Sequence, residues 1–340
     1  MKAVVVISPG VIEVRDVPEP VIGNYDVLCE ILASSICNAT DHHILHNDLG
    51  QKLNYPLLLG HEAIGRVIKC GPKVKYIKKG DVITRIINRL PKGSNYAIQW
   101  GALAERGVAT DWEAMRDDAI PETRWGKYTI HRVLPAQMDP LAATLIITWR
   151  ETYAFFKRMS PKAGETLLII GSGAQALAFS NHAHNRGLQT VVIGSPERKN
   201  IFLRAHIKSF VSYHTENLVK ALYKRNFPRC DIVVDTVGNN ATLNQVLPVL
   251  IHGGKIGMYG FDEALGYSIF AARSHGDFSF YHGAHYDEGS AHDDIISFIN
   301  EGKLDAWHYL SRTHIYPLEK IKEALEASRK RKVIKSIIRF

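Results

Sequence analysis

Three short segments carry residues whose types and spacing suit chemistry. Residues 34–43 read SSICNATDHH and residues 60–67 read GHEAIGRV, so Cys37 offers a thiolate and His61 an imidazole from separate parts of the chain. Zinc accepts such borderline-soft sulfur and nitrogen donors, and a catalytic zinc needs only three protein ligands and one open position. A buried thiol and a hydrogen-bonded core histidine are the ordinary alternative, and they would be the default if either residue stood alone. The third segment, residues 171–176 (GSGAQA), follows the apolar run 167–170 and precedes a helix-like stretch over 177–185. It fits the dinucleotide fingerprint. Gly171 allows the tight turn, Gly173 lets backbone approach a pyrophosphate, and the small Ala176 lets helix meet strand, with the phosphates over the helix N-terminus.

The next apolar run bears on the choice of dinucleotide. An acidic residue about 20 positions beyond the fingerprint would bind a ribose 2′-hydroxyl and repel a 2′-phosphate. None stands at that tip: Ile193 is followed by Gly194, Ser195, Pro196, Glu197, Arg198 and Lys199. A hydroxyl and two cations there favour NADP, although Glu197 opposes a phosphate and keeps NAD as the alternative.

The elements that must position these residues fall into two patterns. From residue 1 to about 135, short alternating runs (2–7, 27–33, 63–69) broken by Gly, Pro and Asn predict a mainly β domain. From 166 onward, apolar strands at 167–170, 190–193, 232–235 and 255–259 alternate with helical stretches, which implies a parallel sheet covered by helices. Residues 295–300 and 317–331 have helical spacing, and 333–339 is a terminal strand able to return to the first domain. The expected class is α/β, with domains over 1–145 and 146–288 and a C-terminal return over 289–340.

Composition excludes several functions. In 340 residues, 46% hydrophobic and 22% charged, there is room for two real cores and no run near the roughly 18 apolar residues of a membrane span. The start lacks the pattern of a secretory leader, so a cytoplasmic, non-membrane protein is expected. Four cysteines, at 29, 37, 70 and 230, form no close pair, which excludes a disulfide framework or a four-Cys zinc knuckle. The net charge of +8 is spread over lysines alternating with apolar residues (69, 73, 75, 78, 79) and a basic helix end at 329–332, so no nucleic-acid partner is expected.

Taken together, these residues resemble the medium-chain, zinc-dependent alcohol and polyol dehydrogenases, which join a GroES-like β-rich catalytic domain to a doubly wound Rossmann domain. The resemblance runs essentially end to end. It includes GHEAIGRV, the turn Lys79, Gly80, Asp81, Val82, the Gly171 to Ala176 fingerprint, DIVVDTVG over 231–238, Gly253, Gly254, Lys255, and Gly302, Lys303, Leu304. The resemblance implies that Cys37 and His61 ligate one catalytic zinc, which lowers the pKa of a bound alcohol. It implies that Thr40 and His43 carry the alcohol proton outward, with Asp41 supporting the ligands. It also implies an NAD(P)-linked interconversion of a secondary alcohol, polyol or sugar-like, and a ketone, in a homo-oligomer of two or four chains.

The sequence departs from that family in three places. One extra residue lies between Cys37 and Thr40, so His42 competes with His43 for the relay role. The position of the family's third zinc ligand falls on Ile146 or Ile147, neither of which binds metal; Glu151, one helical turn later, is the favoured substitute, and Glu62 is the other carboxylate at hand, although the resemblance equally implies a Glu62 that supports the ligands from behind. The Cys-rich structural zinc lobe is missing, because no cysteine lies between 71 and 229, and 100–106 with 111–118 occupy that stretch. Lys335 matches the family's cation that reaches the pyrophosphate, and His282 and His285 are read as structural. The missing ligand keeps open a zinc-free, NADPH-dependent reductase of activated C=C bonds. A catalytically silent nucleotide- or nucleic-acid-binding protein is the reading from another class.

Overall fold

The computed structural model describes every residue except Leu49, Gln51, Ala264, Leu265, Ala284 and His285. The chain forms two compact units, one of residues 1–150, 288–296 and 305–340, the other of 151–287 and 297–304.

The first unit is built on two β-sheets. Lys2–Ser8 is the middle of the smaller one, pairing Val11–Asp16 on one side and Leu57–Leu58 on the other. Its residues alternate between two cores: Val4 and Val6 join one with Ile44, Leu59 and Ile338, while Ala3 and Val5 join another with Leu58 and Ala104. Side chains of a strand point to opposite faces with period two, so a strand apolar at every position must be covered on both. The larger sheet has the order Ile315–Pro317, Ile337–Arg339, Asp26–Ser35, Glu62–Cys70, Val82–Ile86, Arg132–Val133, with Arg106–Thr110 also pairing Asp26–Ser35. The expected terminal strand is therefore present but short, and it lies antiparallel to Asp26–Ser35.

In the stretch where a structural zinc lobe would lie, a short helix, Trp112–Asp117, is fixed by one carboxylate. Asp111 caps it by accepting from Ala114 N at 3.0 Å, and its other oxygen accepts Lys75 N and Tyr76 N at 2.8 Å each. An aspartate at an N-cap satisfies amides that the helix leaves without partners.

The second unit is a six-stranded, all-parallel sheet in the order Ser209–Ser212, Gln189–Gly194, Thr166–Ile170, Cys230–Asp235, Leu250–Met258, Phe278–His282. The four central strands are the apolar runs read from the sequence. The two edge strands escaped that reading because SFVS is short and FSFYH is mostly exposed. Leu168, Ile170, Val191, Ile193, Val233 and Ile256 form its core. The chain leaves the first unit after Arg150, not at 145, and residues 297–304 of the C-terminal return belong to the second unit.

Candidate active site

The strands of the larger sheet deliver the first group of residues. Ser35 is paired in register with Glu62 and with Ile337, so the ends of three strands meet at one place. Cys37 follows the first of these strands, His61 precedes the second, and Lys335 precedes the third. Gly60 sets the approach of His61. Its φ is +95°, and a Cβ there would lie 2.7 Å from Leu103 N, so only glycine fits the turn.

Cys37, His61 and Glu62 offer a sulfur, a nitrogen and a carboxylate oxygen that all lie within 4.8 Å of one another, and all three residues are buried. Asp41, in the helix Thr40–His46 and wholly buried, organises two of them. One of its oxygens lies 3.1 Å from His61 Nδ1, and the other accepts Cys37 N–H at 2.9 Å. The second nitrogen of His61, Nε2, faces Glu62 at 3.9 Å. Burial alone would lower the His61 pKa, yet Asp41 and Cys37 hold it well above the usual histidine range. Burial would likewise raise Glu62, but Lys335, His61 and Ser35 keep it below the usual carboxylate range.

This set of donors suits zinc. It combines one thiolate, one imidazole whose other nitrogen is held by a carboxylate, and one carboxylate. Lys335 Nζ donates to Glu62 Oε1 at 2.6 Å and to its other oxygen, and Ser35 Oγ also donates to Glu62. Thr148 Oγ1 donates to Glu62 Oε1 at 3.4 Å as well, so each oxygen already accepts two bonds and a cation on Glu62 has to displace one of these donors. Glu151 lies on the helix Leu145–Arg158, half-buried, and is not a member of the three-residue group. Ile146 and Ile147, at the family's third-ligand position, are fully buried apolar side chains of the same helix.

Lys335 differs from its expected placement. With its side chain 1% exposed and its ammonium on Glu62, it stands in the first unit as the counter-ion of that carboxylate, where the sequence reading had it reaching a pyrophosphate. The GHE motif and the C-terminal lysine are 273 residues apart, and only strand pairing brings them together.

Thr40 opens the short helix and is half-buried. His43 Nδ1 lies 2.6 Å from Asp48 Oδ1, with the imidazole mostly covered. His42 packs its ring on His46, with centroids 4.3 Å apart, and burial followed by the charge of His46 lowers its pKa. The two candidate relay histidines thus have separate partners on successive positions of one helix.

In the second unit the fingerprint takes the conformation its glycines permit. Gly171 has φ +116°, and a Cβ there would press into the Thr236 hydroxyl and lie 3.1 Å from Val237 Cγ2. Gly173 is the N-cap of the twelve-residue helix Ala174–Asn185, and a Cβ on it would find its nearest neighbour only at 3.9 Å, so the space above the helix N-terminus is open. Ala176 is fully buried. A Cβ on Gly194 would lie 2.6 Å from Ser172 Cβ, which lets the two loops touch. Ser172 Oγ accepts Ser195 N at 2.9 Å, and its carbonyl accepts Arg198 Nη1 at 2.9 Å. The Ser195 hydroxyl donates to Glu197, and Arg198 is 7% exposed, so both residues are already bound into the loop they were expected to line.

Asp235 ends the strand Cys230–Asp235 beside this loop and accepts Val237 N and Gly238 N at 2.9 Å, Asn239 N at 3.0 Å and the Tyr267 hydroxyl at 2.9 Å. It shapes the turn after the strand. His282 ends an edge strand and its carbonyl accepts Arg158 Nη1 at 3.1 Å; His285 lies outside the described residues.

Sequence comparison matches residues 23–118 to the alcohol dehydrogenase GroES-like domain and 206–334 to a zinc-binding dehydrogenase domain. The chain is 30% identical over 265 residues to an L-threonine 3-dehydrogenase of Streptomyces avermitilis, covering 74% of each. It is 22% identical over 332 residues to D-arabinitol dehydrogenase 1 of Uromyces fabae, covering 94% of this chain and 91% of that one. Among solved structures, an alcohol dehydrogenase from Thermus sp. ATN1 superposes with a TM-score of 0.80 at 19% identity, over 100% of this chain and 99% of that one. Among the described residues no helix is long and apolar enough to cross a membrane.

Proposed function

The chain belongs to the zinc-dependent medium-chain dehydrogenase family, and from that premise we propose that it oxidises a secondary alcohol of polyol or sugar-like type to the ketone, or the reverse, with Cys37, His61 and Glu62 holding a single zinc. It is an enzyme, an oxidoreductase interconverting an alcohol and a ketone. The observation that carries the finer reading is the gathering of sulfur, nitrogen and carboxylate donors within 4.8 Å in a buried site. When bound, zinc would supply Lewis-acid polarisation of the substrate oxygen. Glu62 is our third ligand, ahead of Glu151, because it alone of the two lies in that group.

The chain's own groups do the rest. Asp41 orients His61 and fixes the backbone at Cys37. Lys335 balances the charge of Glu62 in a place closed to water. The Thr40 hydroxyl and the His43 imidazole move the alcohol proton outward, and Asp48 against Nδ1 orients the ring that receives it. Gly171, Gly173 and Ala176 take the dinucleotide pyrophosphate at the helix N-terminus. Gly194, Ser195 and Arg198 take the adenosine ribose, with NADP preferred over NAD because no acid stands at the strand tip. The enzyme is read as a cytoplasmic homo-oligomer with one zinc per chain, none of it structural, and with no nucleic-acid partner.

A panel of secondary alcohols and polyols assayed with NADP and with NAD, before and after treatment with a chelator, tests this reading. Alcohol oxidation abolished by the chelator and restored by zinc is the expected outcome. Reduction of activated C=C bonds that ignores the chelator would replace it with the zinc-free reductase.

A further inference from the structure

The first unit contains a buried ion cluster that the proposed reaction does not use. Glu288, at the point where the chain re-enters this unit, accepts Arg150 Nη2 on Oε1 and Arg85 Nη1 on Oε2, each at 2.5 Å. Arg150 is the last residue before the chain leaves the unit, so the exit and the return are clamped to one another. All three residues are no more than 7% exposed. Burial alone would raise the Glu288 pKa, and the two guanidinium groups hold it below the usual carboxylate range instead. An arginine fork has five donors, and Arg85 uses a further one elsewhere: its Nε donates to the backbone carbonyl of His61 at 2.7 Å. The same guanidinium lies 5.9 Å from the ring of Trp100, whose indole in turn packs 5.3 Å from the imidazole of His61.

We infer that Arg85 is a positioning residue for His61, held in place by Glu288, so that the clamp joining the chain's exit and return also fixes the backbone of a proposed zinc ligand. The inference rests on the reading of His61 as a ligand. Its physical basis is the planar fork, which holds a carboxylate and a carbonyl in fixed relative geometry. Lysine at the same place retains the charge but not the fork, and cannot hold both acceptors in that geometry. Arg150, by contrast, donates to Glu288 and to the Ile130 carbonyl and lies 3.4 Å from His292 Nδ1, so it shares the ion cluster on a different set of neighbours.

Arg85→Lys and Arg150→Lys, compared in the full-length protein, separate positioning from plain stability. The first readout is hydrogen–deuterium exchange of the peptide spanning 59–64, measured without added metal; the second is zinc affinity by competition with a chromophoric chelator; the third is thermal midpoint. Arg85→Lys is expected to speed exchange in 59–64 and weaken zinc binding by on the order of 10-fold, while Arg150→Lys leaves both near wild type even where its midpoint falls as far. Equal effects of the two substitutions on exchange and zinc affinity, or none from Arg85→Lys, would overturn the inference. Should Arg85→Lys fail to fold, Glu288→Gln keeps the volume, releases Arg85, and should produce the same local exchange. Failure of wild-type protein to bind zinc would defeat the ligand reading itself, and the exchange comparison would then decide the role of Arg85 alone.

Discussion

One carboxylate oxygen of Asp41 lies 3.1 Å from Nδ1 of His61, which leaves Nε2 as the nitrogen of that ring open to a metal. The other oxygen accepts the Cys37 amide at 2.9 Å, so a single buried side chain orients two proposed ligands. Asp41→Asn should therefore weaken zinc binding by about 10- to 100-fold with the fold retained, because an amide holds the imidazole less firmly than a carboxylate does. Competition with a chelator measures this, and wild-type affinity in the variant would remove Asp41 from its role.

The proton route gives a kinetic prediction. Thr40→Val should lower turnover by roughly 10²- to 10⁴-fold while zinc content and cofactor affinity stay near wild type, since it removes a hydroxyl and no ligand. His43→Ala should lower turnover less and recover in part at higher pH, where buffer or hydroxide takes the proton. His42, whose ring rests on His46 where that of His43 lies against Asp48, is the control. A pH-rescued loss in His42→Ala with a silent His43→Ala would move the relay by one residue.

Cofactor choice depends on the loop after Gln189–Gly194. NADP(H) should bind more tightly than NAD(H), and Arg198→Ala should narrow the gap, because a guanidinium beside a 2′-phosphate gains a charge-assisted bond that NAD cannot offer. Arg198 also holds the Ser172 carbonyl, so the substitution should weaken both cofactors to some degree. Equal affinities for the two, unchanged by the substitution, would contradict the assignment.

Two buried histidines of the first unit predict how stability responds to acid. Burial lowers the His131 pKa to about 3, and the Thr110 amide donates to its Nδ1, a bond only the neutral ring accepts; burial followed by the charge of Arg150 lowers that of His292 to about 3 as well. Unfolded, both titrate near 6.5. The unfolded chain therefore binds more protons between those limits, so stability is complete above about pH 6.5 and falls as pH drops toward about 3, by up to roughly 1.4 kcal/mol per pH unit for each histidine. Urea unfolding at about pH 7.5 and about pH 5.5 measures it, and His292→Leu should flatten the slope. His61, whose pKa is raised, contributes the opposite slope, so the comparison with His292→Leu is the deciding one: a pH dependence unchanged by that substitution would contradict the role of His292.

Much of this was legible in the sequence where chemistry is local. The fingerprint needs a strand, a tight turn and a helix in succession, and Thr166–Ile170, Gly171 and Ala174–Asn185 supply them within 20 residues. Strands buried on both faces, such as Thr166–Ile170 and Cys230–Asp235, announce themselves as unbroken apolar runs. The partner of Glu62 was not legible, because Lys335 reaches it only through the pairing of Ile337 with Ser35, a contact no spacing rule encodes. The Arg85, Glu288 and Arg150 cluster was hidden for the same reason, since charged residues scattered over 203 positions read as ordinary surface. The edge strands Ser209–Ser212 and Phe278–His282 were too short or too wet to stand out.

Metal content of carefully purified, undialysed protein tests the central claim most directly. About one zinc per chain is expected, falling to near zero in Cys37→Ala and in His61→Ala and reduced in Glu62→Gln but not in Glu151→Gln, because removing one of three ligands takes away most of the binding energy. Wild-type protein with almost no zinc, or a content that survives loss of Cys37 and His61, would contradict the claim that these residues form the metal centre.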